Sequence, residues 1–108
     1  MERKDLLVEI VEVKGRCPVY QVRDEFYVAE GYKLLASRSC DVCLHAIGSI
    51  IPWAVSLSAQ FPKIDDMGLG HEADGTAYVQ CLDPGPPYTE GGTVTFAIRR
   101  VDLDNGTI

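Results

Sequence analysis

Four cysteines, Cys17, Cys40, Cys43 and Cys81, are the residues of this chain best equipped for chemistry. Cys40 and Cys43 stand in the stretch Ser39-Cys40-Asp41-Val42-Cys43-Leu44-His45, at the head of a long uncharged run. Thiols at positions i and i+3 of a helix share a face, so the pair is able to grip one ion or form a redox couple. A helix N-terminus also lowers a thiol pKa, favouring the thiolate that binds metal or attacks an electrophile. Cys17 follows the first strand pattern and Cys81 closes the third, so all four lie at element ends, where sites are built. Converging on one end, Cys17, Cys40, Cys43 and Cys81 make a metal site suited to zinc or iron, or to an iron–sulfur cluster. Packing is the competing reading. Free cysteine is among the most buried residue types, and a single C-x-x-C lacks the second knuckle of the usual four-cysteine zinc site.

The other titratable groups are weaker candidates. His45 lies two residues past Cys43 and points off that face, which suits a core or rim histidine. With Asp83, it is the nearest group for proton transfer should the metal keep an open position. His71 and Glu72, with Asp65, Asp66 and Asp74, read as a solvated acidic loop rather than a hard-cation site. Gly68-x-Gly70 lacks the strand-to-helix setting of a phosphate loop. Trp53, Phe61 and Tyr78 read as core, and no Ser/His/Asp order or paired-carboxylate motif stands out.

The elements that must position these residues follow from size and pattern. A chain of 108 residues, 46% hydrophobic and 24% charged, reads as one globular domain over 1–108. A net charge of −6 argues against a nucleic-acid partner, which needs a concentrated basic face. The start Met-Glu-Arg-Lys-Asp carries no apolar signal region and no cleavage site, so the expected location is the cytoplasm, where thiols stay reduced. Residues 42 to 61 are uncharged over about the length of a membrane span. His45, Gly48, Ser49, Pro52, Ser56, Ser58 and Gln60 lower the run's hydropathy, and strand patterns flank it, so a buried helix is expected and a membrane is not.

Period-two alternation predicts strands over residues 5–13, 24–29, 76–82 and 93–101. Ser39 is the expected helix cap, with Asp41 in the first turn and a helix over 41–51, followed by a kink at Pro52 or a second short helix starting at Pro52-Trp53. Gly- and Asp-rich residues 62–75 read as loop, Asp83 to Pro87 as a turn, and 102–108 as a frayed tail. The expected class is α+β: a mainly antiparallel four-stranded sheet packed by one central kinked apolar helix, in the order β-β-α-β-β. A helix apolar all round against a sheet with one free face leaves apolar surface for a homo-oligomer or a larger complex.

Short motifs along this frame resemble a family of small bacterial and archaeal proteins, common in anaerobes, with G-x-C-P, G-D-x-F, C-P and C-P-D-P motifs. They are Gly15-Arg16-Cys17-Pro18, Asp24-Glu25-Phe26, Cys43 at the helix head, Cys81-Leu82-Asp83-Pro84 and Phe96-Ala97-Ile98-Arg99. Arg23 stands where that pattern has Gly, and Leu44 and Leu82 stand where it has Pro. The resemblance spans nearly the whole chain and singles out Cys17, Cys43 and Cys81 as thiols that act together, with Cys40 as an extra. It implies no substrate.

Overall fold

A computed structural model describes residues 4–60, 62–84, 87–89 and 91–102. Phe61, the middle of the Asp83 to Pro87 turn and the tail from 103 lie outside the described residues.

The alternating stretches pair into one six-stranded antiparallel sheet, not the expected four-stranded one. Its strands are β1 (Asp5–Gly15), β2 (Glu25–Ala29), β3 (Lys33–Leu34), β4 (Gly70–His71), β5 (Thr76–Gln80) and β6 (Gly91–Val101). Their spatial order is β3-β2-β1-β6-β5-β4, so the two long strands form the centre and the two-residue strands the margins. Residues directly opposite share a face, and the register builds the core from them. Phe26, Val8, Ile98 and Ala77 form one row, and Ile10, Phe96 and Val79 the next. All seven are buried. Burying each of the larger side chains contributes roughly 2 kcal/mol. Register shifts near Val11 and at Lys14/Gly15 twist the end of β1 towards the loop that carries Cys17.

The helix differs more from expectation. α1 runs from Leu44 to Ala59, starting later and ending later than 41–51, and Pro52 lies inside it without ending it. Ser39 is not its cap. The Ser39 hydroxyl donates to the Leu35 carbonyl and accepts the Tyr27 N–H, while Cys43 takes the cap position. No acidic residue lies in the first turn, so Asp41 does not act on the helix dipole.

Nor is α1 central. Ala46, Ile50, Ala54 and Leu57 form the stripe that meets the sheet, while Leu44 (82% exposed), Ile51 (64%) and Val55 (47%) face outward. The sheet offers this helix one face, and an all-round apolar helix exceeds what one face covers. The architecture is therefore mostly β, with α1 and the one-turn α2 (Ile64–Met67) as its only α-helices among the described residues. At its far end α1 is fastened by Ser58, whose hydroxyl donates to the Lys4 carbonyl at 2.7 Å, and by the Arg100 Nε on the Leu57 carbonyl at 2.8 Å. No helix among the described residues is long and apolar enough to cross a membrane. Trp53 is half-buried against the core as expected, whereas Tyr78 stands on the outer face of β5, 45% exposed.

Candidate functional site

Three thiols from three separate segments meet at one end of the sheet. Cys17 lies in the loop after β1, Cys43 at the head of α1, and Cys81 just past β5. Together they line a pocket of about 230 Å³. His45 and Asp83 line the same pocket, and Pro18 and Val19 supply its apolar wall. All four cysteines are free thiols. Cys40 does not line this pocket; its N–H donates to the Glu25 carbonyl at 3.2 Å, which ties it to the margin of β2. Cys40 and Cys43 both precede the helix, so they share no helical face, and the lowered pKa expected at Cys40 does not arise. Burial, and then the Asp24 carboxylate, pushes the Cys40 thiol up instead.

Two glycines let the thiol-bearing turns close in. Gly92 of β6 sits at φ +93°, and a Cβ there would stand 2.6 Å from the Arg16 carbonyl oxygen, so only glycine lets the Cys17 loop lie this close. On the other side, a Cβ at Gly48 of α1 would stand 2.9 Å from Cδ1 of Leu82, the residue after Cys81. The Cys81 N–H donates to the Val94 carbonyl at 2.8 Å, which extends the β5–β6 ladder to the site itself.

Tyr20 joins the other two segments. Its backbone N–H donates to Cys17 Sγ at 3.3 Å, and its hydroxyl accepts the Cys43 N–H at 2.9 Å. Its ring is buried against Phe26 and Phe96. Burial first, and then charge on Cys40, Cys43 and Cys17, pushes the phenol up to about 12, so it stays protonated at neutral pH. Burial also raises the Cys81 thiol, as does charge on Cys43, while the Asp83 backbone N–H opposes the rise. Asp83 is fixed in turn by the Thr89 hydroxyl, which donates to Oδ1 at 2.6 Å.

The arrangement offers soft sulfur donors in a cleft with one imidazole and one carboxylate. Among the described residues, no three His, Cys, Asp or Glu side chains stand near enough to hold a metal ion as they are. Residues 62–75 are not the expected loop, since they hold α2 and β4; Asp65 and Asp66 lie in α2 and Asp74 ahead of β5, all three exposed. Sequence reasoning did not single out Tyr20, Gly48 or Gly92. The one signal for them is chain position, Tyr20 three residues past Cys17 and Gly92 at the start of β6. Comparison with known proteins adds nothing to this geometry: no family model, no curated protein and no solved structure matches the chain.

Proposed function

We propose that Cys17, Cys43 and Cys81 form a thiolate site for a soft cation, zinc or iron, the iron alone or in an iron–sulfur cluster. The observation that carries this reading is the convergence of three thiols, distant in sequence, on one pocket that Cys40 does not enter. They are the same three that the motif resemblance singles out. Thiolates suit zinc and iron alike, so the donor set does not choose between them. Three protein ligands leave a fourth position, and His45 and Asp83, which line the same pocket, are the candidates to fill it or to move a proton beside it.

Burial holds Cys81 protonated, and a divalent ion reverses that preference because opposite charge stabilises the thiolate. Uptake would then release the thiol protons. This reading takes the cysteines as reduced, as in a cytoplasmic protein.

Elemental analysis of anaerobically purified protein tests it. About one equivalent of zinc or iron per chain is expected in the wild type, or about two to four irons with acid-labile sulfide for a cluster. Cys17→Ser, Cys43→Ser and Cys81→Ser are each expected to lose it, and Cys40→Ser to keep it. A folded wild-type protein that takes up neither metal when offered it overturns the reading.

A second reading, self-association as an accessory or oligomerisation domain, rests on a different surface. An apolar groove of about 350 Å³ lies between α1 and the β2–β3 margin, lined by no thiol, imidazole or carboxylate. Tyr32 (68% exposed), Ile51 (64%) and Val55 (47%) leave apolar surface open around it. Light scattering on wild type and Ile51→Glu tests this reading, a dimer that the variant disperses being its expected result. A monomeric wild type at micromolar concentration counts against it.

A further inference from the structure

All three pocket thiols lie outside the strands and helices, and one residue reaches the two that no ladder holds. Cys81 is fixed by the sheet, through its N–H on the Val94 carbonyl at 2.8 Å. Cys17 and Cys43 have no such ladder, because one sits in a loop and the other in the coil ahead of α1. Amides at a helix start have no intrahelical acceptor, so the hydrogen bond that fixes Cys43 must come from elsewhere. It comes from Tyr20. The Cys43 N–H donates to the Tyr20 hydroxyl at 2.9 Å, and the Tyr20 N–H donates to Cys17 Sγ at 3.3 Å.

The residue between those two bonds is rigid. Tyr20 is 5% exposed, with its ring centroid 6.3 Å from that of Phe26 and 5.8 Å from that of Phe96. A ring clamped in the core, with one polar end on each thiol segment, fixes how far the Cys17 loop stands from the head of α1.

We propose that Tyr20 is the positioning residue of the thiol pocket, holding Cys17 and Cys43 in register through the Cys17 sulfur and the Cys43 amide. The proposal takes its purpose from the cation site above, but the spacing it describes belongs to the metal-free thiols as well. Groups that orient ligands typically change metal affinity by about 10- to 100-fold when removed. Tyr20→Phe keeps the ring and the backbone N–H, and so cuts only the tie to Cys43.

Alkylation with iodoacetamide, followed residue by residue by mass spectrometry on the metal-free protein, reads this directly. Tyr20→Phe is expected to speed modification of Cys43 several-fold, to affect Cys17 less, and to leave Cys81 unchanged. Tyr78→Phe, which removes an exposed hydroxyl on β5, is expected to change none of them. Cobalt(II) titration of Tyr20→Phe should show about tenfold weaker binding and a shifted thiolate-to-cobalt band. Unchanged rates, or equal acceleration at all three thiols, overturn the proposal, since the first means an idle hydroxyl and the second a loosened core.

Amide exchange on the wild type covers the case in which Tyr20→Phe does not fold. The Cys43 amide is expected to exchange more slowly than those of Leu44 and His45, and equal exchange overturns the proposal. Alkylation and exchange need no metal. A chain that binds no cation therefore defeats the proposed function and leaves this test standing, while a cation-binding chain without Cys43 selectivity defeats Tyr20 alone.

Discussion

Leu82 lies over Gly48, its Cδ1 2.9 Å from where a Cβ of residue 48 would be. The contact seats the Cys81 turn on the first turns of α1, so a glycine in the helix also serves the thiol pocket. Glycine in an exposed helix costs about 1 kcal/mol relative to alanine, and the crowding atom is the far end of a flexible side chain. Gly48→Ala is therefore expected to raise the urea midpoint by the equivalent of about 0.5–1 kcal/mol while speeding alkylation of Cys81. A lowered midpoint would show that Leu82 cannot swing aside.

Gly92→Ala has the opposite expected sign. There the crowding atom is backbone, the Arg16 carbonyl oxygen at 2.6 Å, and the φ of +93° is one that L side chains rarely adopt. A cost of about 2 kcal/mol or more is expected, read by urea denaturation, together with faster alkylation of Cys17.

Arg23 occupies φ +84°, in the turn before β2. Its N–H is used, donating to the Ile10 carbonyl at 2.9 Å, so the strained conformation is held by the fold. Glycine adopts it freely. Arg23→Gly is expected to stabilise the chain by about 0.5–1 kcal/mol, less than the full relief of strain because glycine also loosens the unfolded chain. Thermal unfolding of the two proteins side by side measures this.

The metal-free chain is expected to weaken in alkali. Burial, then neighbouring thiolate charge, raises the Tyr20 phenol from 10.0 to about 12. Burial raises Cys40 and Cys81 above 9.0. In each case the unfolded chain gives up its proton at lower pH, so between the two values the folded state binds more protons and stability falls as pH rises. Stability from these groups is whole below pH 9.0 and declines above it, with Tyr20 acting between pH 10.0 and about 12. Denaturant midpoints across this range are expected to show the decline, and Tyr20→Phe to flatten its upper part.

Four of the strands were legible because each spans enough residues to show a period, and α1 because a long uncharged run lies between them. Lys33–Leu34 and Gly70–His71 were not, since two residues carry no period and the pairing of each depends on a neighbour. The start of α1 was misplaced because Cys40 to Val42 read as helical from composition alone, while the bond that fixes Cys43 comes from Tyr20, 23 residues earlier. Cys17, Cys43, Cys81, His45 and Asp83 stood out because turns and element ends are visible in sequence. Tyr20 did not, because a tyrosine in a turn looks like any core aromatic until its hydroxyl finds a partner.

The two-residue outer strands also decide how this sheet meets other chains. A long bare margin is a template on which a further strand can add, and repeated addition leads to fibres. β3 covers only part of β2, and the residues after it close the rest. The Leu35 N–H donates to the Tyr27 carbonyl at 3.0 Å, the Tyr27 N–H to the Ser39 hydroxyl at 3.2 Å, and the Cys40 N–H to the Glu25 carbonyl at 3.2 Å. At the other margin the Tyr78 N–H donates to the Leu69 carbonyl at 2.7 Å, beyond the short reach of β4. Growth by strand addition is thereby discouraged on both sides, and Cys40, an extra to the thiol pocket, belongs to the seal.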